Sequence, residues 1–210
     1  MKYIIMCGGE YEAWQSPRHF TEYKGEPLVA RTIRLLRENG VDDISISTND
    51  KRFEKLGVPI LKHDNDYYAR EYNDVDGQWC NCFYPTDEPA CYVFGDVLFS
   101  PKAIKTIVET ETDDIAFFGA MPPFAPEYPK IYIEPFCFKV ANQKHLHEAI
   151  AEVKRLDGIG YFKRRPIAWE LWSVIKGTDP NSINYNYTPI NDYTCDIDKP
   201  SEVSEVAKHD

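Results

Sequence analysis

The 210 residues include 43% hydrophobic and 14% aromatic side chains, enough for one well-buried core and short for two, so the chain reads as a single domain spanning 1–210. Lys and Arg number 24 against 34 Asp and Glu, and the resulting net charge of −10 argues against nucleic acid or an anionic membrane as a partner. Any phosphate-binding site must then be a local basic patch.

Met1 to Cys7 is too short for a signal peptide, and no window approaches the roughly 18 apolar residues of a membrane span, so a cytoplasmic location is expected. Cysteines at 7, 80, 82, 91, 137 and 195 include no CxxC pair and read as reduced thiols.

In chain order, Tyr3–Cys7 is an apolar run stopped by Gly8 and Gly9, the pattern of a strand buried on both faces. Pro27 fits a first helical position, with Val29, Ile33 and Leu36 as the buried stripe and Asn39-Gly40 as the stop. Asp43–Ser47 alternates as a strand. Cys91–Phe94 and Ile115–Phe118 read as buried strands on either side of a helix over Pro101–Glu111. Lys130–Val140 is expected as a longer strand, Asn142–Arg155 as a helix, and Pro166–Ile175 as a helix carrying Trp169 and Trp172. Met121–Pro129 and Gly177–Asn186 read as loops, and Ser201–Lys208 as a short closing helix. Strands alternating with helices predict an α/β fold with a largely parallel sheet.

Three places carry candidate chemistry. Gly8 and Gly9 follow the first strand, where open α/β sheets bind ligands at the carboxyl edge. Asp96 closes Cys91-Tyr92-Val93-Phe94-Gly95, putting a carboxylate at the end of a buried strand; it needs solvent, a paired cation, or a role capping the helix at Pro101. Magnesium suits it, because that ion takes one or two carboxylates plus substrate phosphates and keeps its waters. Asp196 and Asp198 flank Ile197, so in an extended segment both face one way and could approach a shared ligand while Ile197 packs inward. Charge beside the next helix's N-terminus is their other reading.

These residues resemble the GT-A-like nucleotidyltransferases, the group of the sugar-phosphate, choline-phosphate and methylerythritol-phosphate nucleotidylyltransferases and molybdopterin guanylyltransferase. Pro17-Arg18 to Gly25-Glu26-Pro27-Leu28 is similar to the family's Pro-Lys and Gly-x-Pro-Leu block, Gly95-Asp96 to its metal-binding aspartate, and Asp196-Ile197-Asp198-Lys199-Pro200 to its closing Asp-Ile-Asp-Thr-Pro. The opening loop lacks the family's second glycine and its arginine, and Arg18 stands at the family's lysine.

The resemblance implies a Rossmann-like three-layer αβα fold with a mostly parallel mixed sheet. It also implies magnesium-dependent transfer of NMP from an NTP to a small phosphorylated acceptor, with CTP favoured. Asp96 and Asp198 would hold Mg2+, and Arg18 would neutralise the α-phosphate. Gly8, Gly9, Lys24, Asn73 and Gln78 would contact the nucleotide. The run Lys163-Arg164-Arg165 could by its own chemistry hold the acceptor phosphate, since arginine forks match phosphate oxygens, or be a solvated surface run. A non-catalytic binding paralogue and a GT-A glycosyltransferase are the competing readings; the latter expects Asp-x-Asp where the chain has Asp96-Val97-Leu98. The tryptophans and tyrosines could build a homodimer interface or pack in the core.

Overall fold

The computed structural model describes residues 1–8, 17–62 and 77–208. Its strands are β1 (Lys2–Met6), β2 (Glu22–Tyr23), β3 (Glu26–Pro27), β4 (Ile44–Ser47), β5 (Ile60–Leu61), β6 (Ala90–Phe94), β7 (Val97–Leu98), β8 (Ile115–Ala120), β9 (Glu134–Val140), β10 (Thr188–Pro189) and β11 (Cys195–Asp196). Its helices are α1 (Leu28–Glu38), α2 (Pro101–Glu109), α3 (Gln143–Gly158), α4 (Ala168–Ile175) and α5 (Pro200–Val206).

Seven strands form one sheet in the order β10-β8-β9-β6-β1-β4-β5. Only β9 runs against its neighbours, β6 and β8; the other pairings in this sheet are parallel. β1 lies in the sheet interior next to the central β6, paired on both sides, and with helices on both faces Ile4 and Ile5 are fully buried.

Two apolar clusters pack on the two faces. One joins Leu28, Ile33 and Leu36 of α1 with Ile104 and Ile107 of α2; the other joins Leu146 and Val153 of α3 with Trp169 and Trp172 of α4. The three-layer αβα expectation therefore holds. Among the described residues no helix is long and apolar enough to cross a membrane, and all six cysteines are free thiols.

Local chemistry sets the element ends. Pro27, at φ −59°, precedes α1 as its cap rather than occupying its first turn, and Asn39 closes the helix with Nδ2 donating to Leu35 O at 2.8 Å. Ser100 caps α2, its Oγ accepting from Ala103 N at 2.9 Å, so Asp96 is free of the capping role. At the other end of α2, Lys139 Nζ donates to Ile107 O, Val108 O and Thr110 O at 3.0, 2.9 and 2.7 Å, filling carbonyls that the last turn leaves without partners.

Two expectations shift. β4 is buried at every residue, Ser45 and Ser47 included, because helices cover both sheet faces; its alternation does not mark a solvent side. β9 starts at Glu134 instead of Lys130, since Lys130 turns into a cluster of carboxylates while Ile131 stands exposed.

Candidate functional site

The site begins where β6 ends. A Cβ added at Gly95 would lie 2.5 Å from Cys7 Sγ and 2.7 Å from Met6 O, so only glycine lets the chain turn there against β1 and present Asp96. The next two residues, in β7, pair antiparallel with β11: Asp196 opposes Val97 and Cys195 opposes Leu98. Ile197 N then donates to Asp96 O at 2.9 Å. This short ladder brings Asp198 beside Asp96 despite their distance along the chain, and Ile197 is fully buried as its alternation predicted.

Arg18 closes the group. It starts a 3-10 turn, Arg18–Phe20, and its guanidinium bridges the two carboxylates: Nη2 to Asp96 Oδ2, and Nη1 to Asp198 Oδ1 at 3.1 Å. Its side chain is 12% exposed, which places it inside the site. The adjoining His19 is buried against Phe53. Burial lowers its pKa to about 4; Asp96 and Asp50 oppose that shift and Arg18 adds to it.

On the far side of Asp198 lies a second cation that the sequence did not mark. Lys130 Nζ sits 2.6 Å from both Asp196 Oδ1 and Asp196 O, 2.7 Å from Glu134 Oε1, 3.4 Å from Glu202 Oε2 and 3.8 Å from Asp198 Oδ2. Burial alone would lower its pKa, but Asp196 and Glu134 more than offset this and hold the ammonium charged. Burial and the neighbouring Asp196 push Glu134 up to about 9, and Tyr128 hydrogen-bonds its other oxygen. Asp196 is held below the usual range: burial raises it, while its bonds to Glu134 and Lys130 and the charge of Arg18 outweigh that. Asp198 is raised by burial and by Asp196. Glu202, in α5, accepts from Asp198 N at 2.7 Å and Lys199 N at 3.1 Å, fixing the turn that follows the ladder.

Of the predicted site residues, the structure joins Arg18, Asp96 and Asp198. Gly8 follows β1, partly exposed; Gly9 and Asn73 lie outside the described residues. Lys24 forms the tip of the β2–β3 hairpin, exposed, with Nζ 5.4 Å from the Tyr23 ring centre. Gln78 opens a 3-10 helix, Gln78–Cys82, and is buried with Oε1 lacking a hydrogen-bond partner among the described residues. Arg164 is committed to Glu170, Nε to Oε1 at 2.6 Å, where Glu170 also caps α4 by accepting from Ile167 N. Lys163 is exposed, its backbone bound to Asn181, and burial pushes the Cys80 and Cys82 thiols up, a shift that the charge of Arg165 only partly opposes.

Lys130 and Glu134 were missed because they read as the start and an interior residue of one long strand, Lys130–Val140. The one available signal was Glu202, which stands three residues after Lys199 at capping-box spacing.

No family model matches the chain, and no curated protein matches it. Solved structures do. They include a Bacillus anthracis protein described as a glucose-1-phosphate thymidylyltransferase, in complex with a sucrose (TM-score 0.59, 14% identity, covering 99% of this chain and 94% of that one). The fold is that of the nucleotidylyltransferases. HddC of Yersinia pseudotuberculosis, complexed with GMP-PN, shares it over 99% of this chain and 98% of its own at TM-score 0.51 and 13% identity. LicC, the CTP:phosphocholine cytidylyltransferase of Streptococcus pneumoniae, does so over 99% and 96% at TM-score 0.50 and 15% identity. At such identities the likeness is one of fold. It agrees with the nucleotidylyltransferase resemblance of the three sequence blocks.

Proposed function

We propose that the protein is a magnesium-dependent nucleotidylyltransferase acting on a small phosphorylated acceptor. The observation that carries the reading is the β7–β11 ladder, which sets Asp96 and Asp198 side by side at the carboxyl edge of β6 with Arg18 between them. Open α/β sheets bind their ligands at that edge.

The donor set fits magnesium. Two carboxylates converge, and five carboxyl groups contact Arg18 and Lys130. Burial and Asp196 hold one of the five, Glu134, protonated; the other four still exceed the two cations in charge, and a dication would offset that excess. Among the described residues no group of three His, Cys, Asp or Glu is placed to hold a metal, so the protein's own ligands would be these two carboxylates. Asp96 and Asp198 would hold it, and when bound it would neutralise phosphate charge.

In the transfer, an acceptor phosphate oxygen forms a bond to the α-phosphorus of the NTP. The bond from that phosphorus to the bridging oxygen breaks, and pyrophosphate leaves with the electron pair. Both reactants are anions, so the protein's contribution is positioning and charge neutralisation, with no protein nucleophile required. Arg18 is the side chain for the α-phosphate, since its planar fork matches two oxygens and stays charged at working pH. CTP, which LicC's name specifies, is the first nucleotide to test.

The test is incubation with each NTP, Mg2+ and a panel of sugar phosphates and phospho-alcohols, measuring pyrophosphate and the coupled product. Release that depends on both NTP and acceptor supports the reading. NTP binding without turnover across the panel would make the protein a non-catalytic relative on the same fold.

A further inference from the structure

We propose that Lys130 is a positioning residue of this site, orienting Asp198 for its work with Asp96. The inference rests on the transfer reading above and assigns a role to a side chain that sequence patterns leave unmarked.

The two oxygens of Asp198 face two different cations. Oδ1 is 3.1 Å from Arg18 Nη1, and Oδ2 is 3.8 Å from Lys130 Nζ. A carboxylate drawn from both sides has its rotation restricted, and the oxygen that remains on the Asp96 side is Oδ1. Lys130 itself has little freedom: its side chain is 7% exposed, and three oxygens lie within 2.7 Å of Nζ, from Asp196 and Glu134. Because it binds both the carbonyl and the carboxylate of Asp196, it also fixes the backbone that leads through Ile197 to Asp198. Glu202 adds a third restraint by accepting from Asp198 N at 2.7 Å and facing Lys130 at 3.4 Å.

Lys130 thus stands behind the candidate metal ligand, much as outer-shell hydrogen-bond partners orient ligands elsewhere. Its ammonium is bound chiefly to Asp196 and Glu134, whereas Arg18 is bound to Asp96 and Asp198 themselves. Loss of Lys130 should therefore weaken dication binding rather than remove the site.

Lys130→Met alone leaves Asp196 buried without its cation, so the decisive variant is Lys130→Met with Asp196→Asn, which removes both charges together. Free Mn2+ is followed by its EPR signal in titrations of the parent, this double variant and Asp96→Asn, with and without CTP, at temperatures well below each protein's melting point. The double variant is expected to keep the parent's circular dichroism and to bind Mn2+ about tenfold or more weakly, the range typical when an outer-shell partner is lost. Parent-like Mn2+ affinity in the folded double variant would overturn the role of Lys130. Were Asp96→Asn also parent-like, the metal-site reading itself would fall, and the role of Lys130 with it. A loss in Asp96→Asn alone would spare that reading and refute only Lys130.

Discussion

Ile197 N donates to Asp96 O at 2.9 Å, a backbone bond between the two segments that supply the candidate metal ligands. Because it is made by backbone, the spacing of the two carboxylates survives loss of either side chain. Asp96→Asn should accordingly abolish pyrophosphate release while leaving the thermal midpoint near that of the parent. Asp198→Asn should raise the magnesium concentration for half-maximal activity more than Asp196→Asn, since Asp196 faces Lys130 and Asp198 faces Arg18. Magnesium titrations of the three variants check both statements.

Arg18 links the two carboxylates, so its loss is expected to act on chemistry. Arg18→Ala should cost about 2–4 kcal/mol of transition-state stabilisation, comparable to deleting an oxyanion donor. Arg18→Lys restores a cation on a similar stem and should recover a large part of the activity. Steady-state kinetics on both, with the NTP and acceptor identified by the screen, give the comparison.

Gly95 has no room for a methyl group. Gly95→Ala would force Cys7 and Met6 of β1's end to shift, at about 1–3 kcal/mol for overpacking, and would displace Asp96 along with them. Chemical denaturation should show the loss, and pyrophosphate release should fall further than stability alone requires.

His19 gives the protein an acid limb. Below pH 6.5 the unfolded chain binds a proton that the folded chain refuses until about pH 4, so the stabilisation is complete above pH 6.5 and is lost as pH falls towards 4. The span corresponds to on the order of 3 kcal/mol. Urea denaturation across pH 4–7 should show this slope in the parent and a flatter one in His19→Leu. An equal slope in both would assign the acid sensitivity to other groups.

At the opposite end of the sheet, Lys139 satisfies three carbonyls of the α2 terminus. Lys139→Met leaves them buried without a donor and should cost about 2–4 kcal/mol by the usual penalty for charge-assisted bonds. Its denaturation midpoint should fall while kcat at saturating substrate stays at the parent's value.

How much of this the sequence disclosed depends on the kind of signal each part leaves. β1, β6 and β8 are continuous apolar runs, legible because both faces of the sheet are covered. Asp96 was legible for the same reason, as a charge abruptly ending such a run. Asp198 needed the closing motif, since nothing local separates it from Asp196; only the β7–β11 register does that. Lys130 left little trace, because apart from Glu134, four residues on, its partners Asp196, Asp198 and Glu202 reach it only through tertiary packing. The strand start at Glu134 was misplaced for that same reason: the attraction that pulls Lys130 out of β9 is invisible in a local pattern.

The sheet also divides the molecule's tolerance for change. Cys7, Val97, Leu98, Cys195 and Ile197, which pack beneath the carboxylates, belong to the cluster shared with α1 and α2, whereas Trp169, Trp172 and Phe117 belong to the one shared with α3 and α4. Residues in separate packing units have nearly additive free energies where they share no partner, and Phe94, which packs against both clusters, is a shared partner to be held constant. A lineage could therefore remodel the tryptophan layer by successive substitutions, drawing on one reserve of stability, while the geometry around Asp96 and Asp198 stays under its own selection.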